Sequence, residues 1–252
     1  MGSLFYNLGR RLGPKVRKAR WMWESLAGTE SEAIRLEHGV GLDLAYEAKI
    51  QLPMDSDPKT IQILAQTGQR LHACVANRLR SFQFEGFLGG QPNAFALPGG
   101  FIFVSRPILE LCQWDPNQIA FILAHEMAHV IRRHAIERIV TNSAVTMAAR
   151  AAPASGALGA WLHNVGIRFL ETAYSRDQEL EADKLGVRLV MAAGYAPEAS
   201  TELLSRLAEL NKTADPAALG EYFSTHPSAE VRIRAIRQFL HHQGPGDQPG
   251  NP

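Results

Sequence analysis

Apolar residues recur at helical intervals between residues 59 and 79, where Ile61, Ile63, Leu64, Leu71, Val75 and Leu79 predict an amphipathic helix laid against a core. Two shorter runs follow and read as strands. Residues 82–88 alternate in part, Gly89-Gly90 and Pro92-Asn93 mark a turn, and residues 101–104 form a β-prone run behind Pro98-Gly99-Gly100. Together they predict a small antiparallel sheet. Asp115 followed by Pro116 is an N-cap with proline at the first helical position, and Ile119, Ile122, Leu123, Val130 and Ile131 continue that helix. Another helix is predicted over residues 171–193, closed by Gly194, and residues 197–210 and 227–240 read as two more. The fold class implied is α+β, predominantly helical with a small antiparallel sheet.

The two ends of the chain break this pattern. Residues 1–57 read as a basic, then acidic, leader in which Gly13-Pro14 interrupts any long helix and residues 53–58 serve as a linker. Residues 58–242 form the expected folded domain. Residues 243–252, rich in Gly, Pro, Asp and Gln, read as a disordered tail. A stretch at 143–166 is Ala-rich, but Arg150, Pro153, Gly156, Gly159, His163 and Asn164 interrupt it, which argues against a spanning helix.

Composition narrows the class. With 252 residues, 46% of them hydrophobic and 20% charged, the chain has the make-up of a soluble protein with one substantial core. A formal net charge of +1 gives no overall attraction to nucleic acid, and none is expected as a partner. Charge matters locally: Arg10, Arg11, Lys15, Arg17, Lys18 and Arg20 are interleaved with Leu4, Phe5, Leu8, Leu12, Val16, Trp21 and Trp23. Such a segment is either solvated or lies on an anionic membrane surface. No secretory signal is visible, so a cytoplasmic location is expected, with peripheral membrane contact as an extension of it. Cys74 and Cys112 fall in apolar helical stretches and read as reduced thiols.

The chemistry sits in the helix after Asp115. His125-Glu126-Met127-Ala128-His129 places two imidazoles one helical turn apart on one face, a spacing that lets both bind one zinc ion. Glu126 stands beside the first of them as a candidate general base. A hydrolytic zinc site needs a third protein donor. Glu179 is the candidate, since it shares a helix face with Asp183, and one carboxylate can bind metal while the other accepts the free ring N–H of a ligand histidine. Spacing alone leaves Glu179 open between a ligand and an exposed helix glutamate. Glu181 points away from that face, and His134 lies off the face of His125 and His129, as a helix histidine with a local partner.

These motifs resemble a family. His125-Glu126-x-x-His129 followed by Ser175-Arg176-x-x-Glu179-x-x-Ala182-Asp183 is similar to the zinc metallopeptidases that include the CAAX prenyl protease, HtpX and the mitochondrial Oma-type quality-control proteases. Residues 93–104 resemble that family's turn and edge strand, and Thr225-His226-Pro227 resembles its histidine-proline motif; the likeness covers residues 59–240 and is nearest the compact Oma-like members. It implies a zinc metalloendopeptidase of protein quality control, holding one Zn2+ per chain and acting on protein or peptide substrates. His125, His129 and Glu179 are then the metal ligands, Glu126 the catalytic base, Asp183 the support behind a ligand, and His226 a candidate fourth ligand near the site. The resemblance also implies that residues 101–104 are an edge strand that pairs with an extended substrate; the run reads equally as an ordinary buried strand. Tyr174, Arg176, Tyr222 and His226 are candidates for stabilising the oxyanion. The alternative is a metal-stabilised binding or chaperone module without proteolysis, which the intact glutamate between the histidines disfavours because a structural site needs no base.

Overall fold

The computed structural model describes residues 28–141, 173–213, 226 and 229–242. The basic leader, the Ala-rich 143–166 stretch, Tyr222, Pro227 and the tail lie outside the described residues. Side-chain caps fix where the helices begin. Helix α1 (Glu30–Gln51) opens with a capping box between Thr29 and Glu32. Helix α2 (Pro58–Ala73) opens at Asp57, whose carboxylate accepts from the Lys59 amide.

The sheet follows, with β1 (Gln83–Phe87), β2 (Ala94–Leu97) and β3 (Phe101–Ser105), then α3 (Arg106–Leu111). Helix α4 (Pro116–Ile131) opens at the Asp115 cap read from the sequence, and α5 (His134–Thr141) follows it closely. Helix α6 (Arg176–Ala192) starts at a Ser175–Gln178 capping box rather than at residue 171, and ends as expected before Gly194, whose φ is 73°. Helices α7 (Glu198–Thr213) and α8 (Ala229–His242) complete the described chain.

The α+β reading holds, but the sheet is mixed and its order is β1-β3-β2. Strand β3 pairs antiparallel with β2 and parallel with β1, so residues 101–104 form the central strand and have no open edge for a substrate. The physical reason is β2. All four of its side chains are buried, so it shows no polar alternation and its sequence reads as part of a turn. Once the Pro98–Gly100 turn folds β2 onto one side of β3, residues 83–87 can join only from the other. The outer side of β1 is taken by the chain before α2, where the Asp55 amide donates to Gly86 and the Leu88 amide to Pro53.

Alternation along β3 separates two apolar layers. Ile102 and Val104 face a core built from α4, α6, α7 and α8, including Ile119, Leu123, Met127, Val187, Val190, Leu203 and Ile236. Phe101 and Phe103 face a second layer with Phe87, Phe95 and the α1 residues Leu44, Ala45 and Ala48. Each fully buried large side chain contributes about 1.5–3 kcal/mol, so both faces of this short sheet hold it in place.

Helix α1 lies within residues that read as leader. It packs largely through small residues: Ala33, Gly41, Ala45 and Ala48 are buried beside Ile34 and Leu44, and a Cβ on Gly41 would fall 1.8 Å from the carbonyl oxygen of Pro98. Four more large side chains, Leu36, Leu42, Tyr46 and Ile50, are exposed, which erases the amphipathic signal. No helix among the described residues is long and apolar enough to cross a membrane.

Candidate metal centre

Helices α4 and α6 cross at close range. Gly186 makes this approach feasible: a Cβ there would lie 3.1 Å from the backbone nitrogen of His125 and 3.3 Å from its Cα. The crossing sets the Glu179 and Asp183 face of α6 against the histidine face of α4. Residue 226 and helix α8 close the third side.

The donors converge on one point. His125 Nε2 lies 3.1 Å from His129 Nε2 and 3.3 Å from His226 Nδ1, while Glu179 Oε1 is 3.3 Å from His129 Nε2 and 2.9 Å from His226 Nδ1. One donor atom from each of these four residues falls within 4.8 Å of all the others, and all four residues are buried. Glu126, also buried, approaches His226 Nε2 at 3.4 Å. The sequence-derived residues His125, Glu126, His129, Glu179, Asp183 and His226 are thus brought together in space.

Each ring has a partner on its far side. Asp183 Oδ1 sits 2.9 Å from His125 Nδ1, so that nitrogen donates its proton and leaves Nε2 bare. Tyr174 stacks on the His129 ring with centroids 3.8 Å apart. Arg176, by contrast, is exposed at the start of α6.

Two contributors escape the sequence reading. Arg232 of α8, 1% exposed, donates from Nε and Nη2 to the two Asp183 oxygens at 2.8 Å each, and its Nη1 lies 3.0 Å from Glu179 Oε2. Nothing in the hydropathy pattern separates it from Arg234 and Arg237 on the same helix. The other is His134. It is buried with Nδ1 3.0 Å from His129 Nδ1, because the chain turns at Arg133, φ 63°, and does not continue as a helix. Glu181 is half-exposed as expected, yet it pairs with Arg132 and stands 3.5 Å from His134 Nε2.

Electrostatics follow from burial and these contacts. Burial alone would raise the Glu179 carboxyl, but His226 and Arg232 beside it hold it well below the usual range. Asp183 is lowered in the same way, burial being outweighed by Arg232. Burial pushes His129 well below its ordinary value and His134 down to about 4. His226 goes the other way, because Glu179 and Glu126 together overcome its desolvation.

The donor set fits a divalent cation. His125 Nε2, bare because Nδ1 donates to Asp183, lies 3.1 Å from His129 Nε2, which is 3.3 Å from Glu179 Oε1, and a cation among these atoms would satisfy them together. Charge agrees: with neutral histidines, the carboxylates Glu126, Glu179 and Asp183 against Arg232 leave two negative charges in excess, which one dication cancels.

Comparison with known proteins bears on the same region. Residues 58–240 match Peptidase family M48. The chain is 38% identical over 153 residues to the mitochondrial metalloendopeptidase OMA1 of Schizosaccharomyces pombe, covering 59% of this chain and 44% of that protein. It is 34% identical over 161 residues to the protein of the same name in Saccharomyces cerevisiae, with the same coverage of 59% and 44%. The beta-barrel assembly-enhancing protease of Escherichia coli O157:H7 is 26% identical over 204 residues, which cover 77% of this chain and 41% of that one. The match thus spans less than half the length of each of these relatives. The likeness to Oma-type proteases drawn from the motifs is met by these relatives.

Proposed function

The chain belongs to peptidase family M48, and we propose that it is a zinc metalloendopeptidase acting on protein or peptide substrates in protein quality control. The observation that carries this reading is the buried meeting of His125, His129 and Glu179 with a carboxylate, Glu126, next to the first histidine. His125, His129 and Glu179 would hold one zinc ion. A zinc ion bound there would polarise the scissile carbonyl and favour deprotonation of the attacking water.

The remaining work falls to the protein's own groups. Glu126 takes the proton of the attacking water on a carboxylate oxygen and passes it to the departing amine nitrogen. Asp183 holds the His125 proton on Nδ1 and keeps that ring turned toward the site. Arg232 fixes Asp183 and Glu179 together, so neither carboxylate swings away. His226 is either a fourth donor, which would fill the position a substrate needs, or a hydrogen-bond donor to the oxyanion. Its distances of 2.9 Å to Glu179 and 3.4 Å to Glu126 support a place at the reacting centre in both cases.

The test is hydrolysis of a casein or quenched-peptide substrate by the full chain. Activity should vanish with a zinc chelator and return on adding zinc; activity that survives complete removal of zinc overturns the reading in favour of another catalytic mechanism, and no hydrolysis at full zinc occupancy favours the non-hydrolytic module. His226→Ala sorts the two roles of that residue: basal hydrolysis rises if it is a fourth donor and falls at full zinc occupancy if it serves the oxyanion.

The proposal extends to place. The basic leader, with the exposed Leu42, Tyr46 and Ile50 of α1 following it, suits peripheral contact of a cytoplasmic chain with an anionic membrane surface. Deleting residues 1–23 should then reduce sedimentation with anionic vesicles and leave soluble-peptide hydrolysis unchanged.

A further inference from the structure

His129 and His134 face each other through like atoms, Nδ1 to Nδ1 at 3.0 Å, and both rings are buried. Two imidazole nitrogens at that distance share one proton. Which ring carries it follows from the opposite nitrogen of His129. Its Nε2 points at His125 Nε2 and at Glu179 Oε1, the meeting point of the metal donors, so as a ligand it has no proton. The proton of His129 is therefore on Nδ1, and His134 Nδ1 must accept it. His134 then carries its own proton on Nε2, the nitrogen that faces Glu181 Oε2 at 3.5 Å. Glu181 is in turn held by Arg132 Nε at 3.1 Å.

We infer that His134 is the positioning residue of His129: it accepts the His129 Nδ1 proton and so fixes the tautomer and orientation in which His129 presents a bare Nε2 to the metal. The two α4 histidines are then supported by different chemistry. His125 has a carboxylate behind it, Asp183, while His129 has a neutral ring.

The fold builds this contact deliberately. Helix α4 stops at Ile131, and Arg133 takes a left-handed φ of 63°, a conformation uncommon for a residue with a side chain. That turn brings His134 back over His129, which an uninterrupted helix would not do, since residues five apart do not share a face. Arg133 is held in the turn by Glu37 of α1, whose Oε1 lies 2.8 Å from Arg133 Nε. On the other side, the Tyr174 ring stacked on His129 blocks rotation out of the plane that points Nδ1 at His134.

This inference rests on His129 being a metal ligand, and its test separates the two statements. Zinc affinity is measured by competition with a chromophoric chelator for the full-length wild type and for His129→Ala, His134→Leu and His134→Asn. His134→Leu removes the acceptor and is expected to weaken zinc binding about 10–100-fold, the usual cost of losing support behind a ligand. His134→Asn keeps an acceptor in its amide oxygen and should recover most of that loss, a rescue that a purely space-filling role would not produce. Equal zinc affinity in His134→Leu and wild type, or no difference between the Leu and Asn variants, overturns the inference while leaving the ligand reading intact. Unchanged affinity in His129→Ala overturns the ligand reading itself.

A second measurement needs no variant to fold: nitrogen NMR of the zinc-loaded wild type labelled at histidine. Protonation of His129 at Nδ1 and of His134 at Nε2 is the expected result. A His134 ring protonated at Nδ1 rejects the assignment.

Discussion

Two buried ionic clusters stand within a few residues of each other around the end of α4, and they are built on opposite rules. In one, Glu37 of α1 accepts from Arg80 Nη1 on Oε2 at 3.0 Å and forms an ion pair through Oε1 with Arg133 Nε at 2.8 Å, so each charged contact pairs opposite charges. In the other, His125 Nε2 and His129 Nε2 face each other at 3.1 Å, and His129 Nε2 lies 3.3 Å from a Glu179 carboxylate oxygen. The first cluster meets its carboxylate with the protein's own cations. The second is a set of donors that a cation would complete. Glu37 and Arg80 are buried like the donors of the second cluster, so burial of charge alone does not mark a functional site; metal-ligating atoms converging on a point do.

Substitutions can break this contrast. The largest effect is expected at Glu126→Gln, which should retain stoichiometric zinc by metal analysis while peptide hydrolysis falls about 100-fold to 10,000-fold, the range supplied by a general base. Normal turnover would remove Glu126 from its role. Glu179→Ala should act one step earlier and lower the zinc content of the purified protein, since a site with two histidines lacks its third ligand.

Glu37→Ala tests the other cluster. Removing the shared carboxylate leaves two arginines buried or half-buried without a partner, with an expected loss of about 3–5 kcal/mol in urea unfolding of the metal-free chain. Zinc per folded chain should stay near one. Loss of zinc at full folding would merge the two clusters into one functional unit, through the Arg133 turn that carries His134.

Smaller effects sharpen the comparison away from the end of α4. Asp55 is held below its ordinary value: burial opposes ionisation, but hydrogen bonds from Arg106, the Asp57 amide and Thr60 outweigh it. A depressed carboxyl contributes stability that is fully present above the unfolded value of about 3.9 and lost as pH falls through the folded one. Arg106→Gln should therefore flatten the acid side of the stability profile, with a larger cost at pH 6 than at pH 3 by urea titration. Lys49→Ala removes an exposed pair with Glu85 and should change unfolding by no more than about 1 kcal/mol.

Some of this was legible in the chain and some was not, for reasons that differ by element. The α4 start at Asp115-Pro116 and the α6 end at Gly194 were readable because caps are local chemistry. Strand β2 was hidden because its side chains are buried on both faces, and α1 because alanine and glycine fill much of its buried face while Leu42, Tyr46 and Ile50 stay outside. His226 could be singled out only through the histidine-proline motif. Arg232 had no motif at all, because a buried arginine inside an amphipathic helix carries the same symbol as an exposed one.

By itself the sequence determined what depends on neighbours along the chain. The spacing of His125 and His129 on one helix face, with Glu126 between them, follows from 3.6 residues per turn and needs no other element. Tertiary structure alone decided the rest of the centre. Glu179, His226 and Arg232 reach His125 from 54, 101 and 107 residues away, and they do so because Gly186 permits the α4–α6 crossing and α8 closes against it. Helical periodicity can place a side chain on a face; which face meets which is settled only by packing.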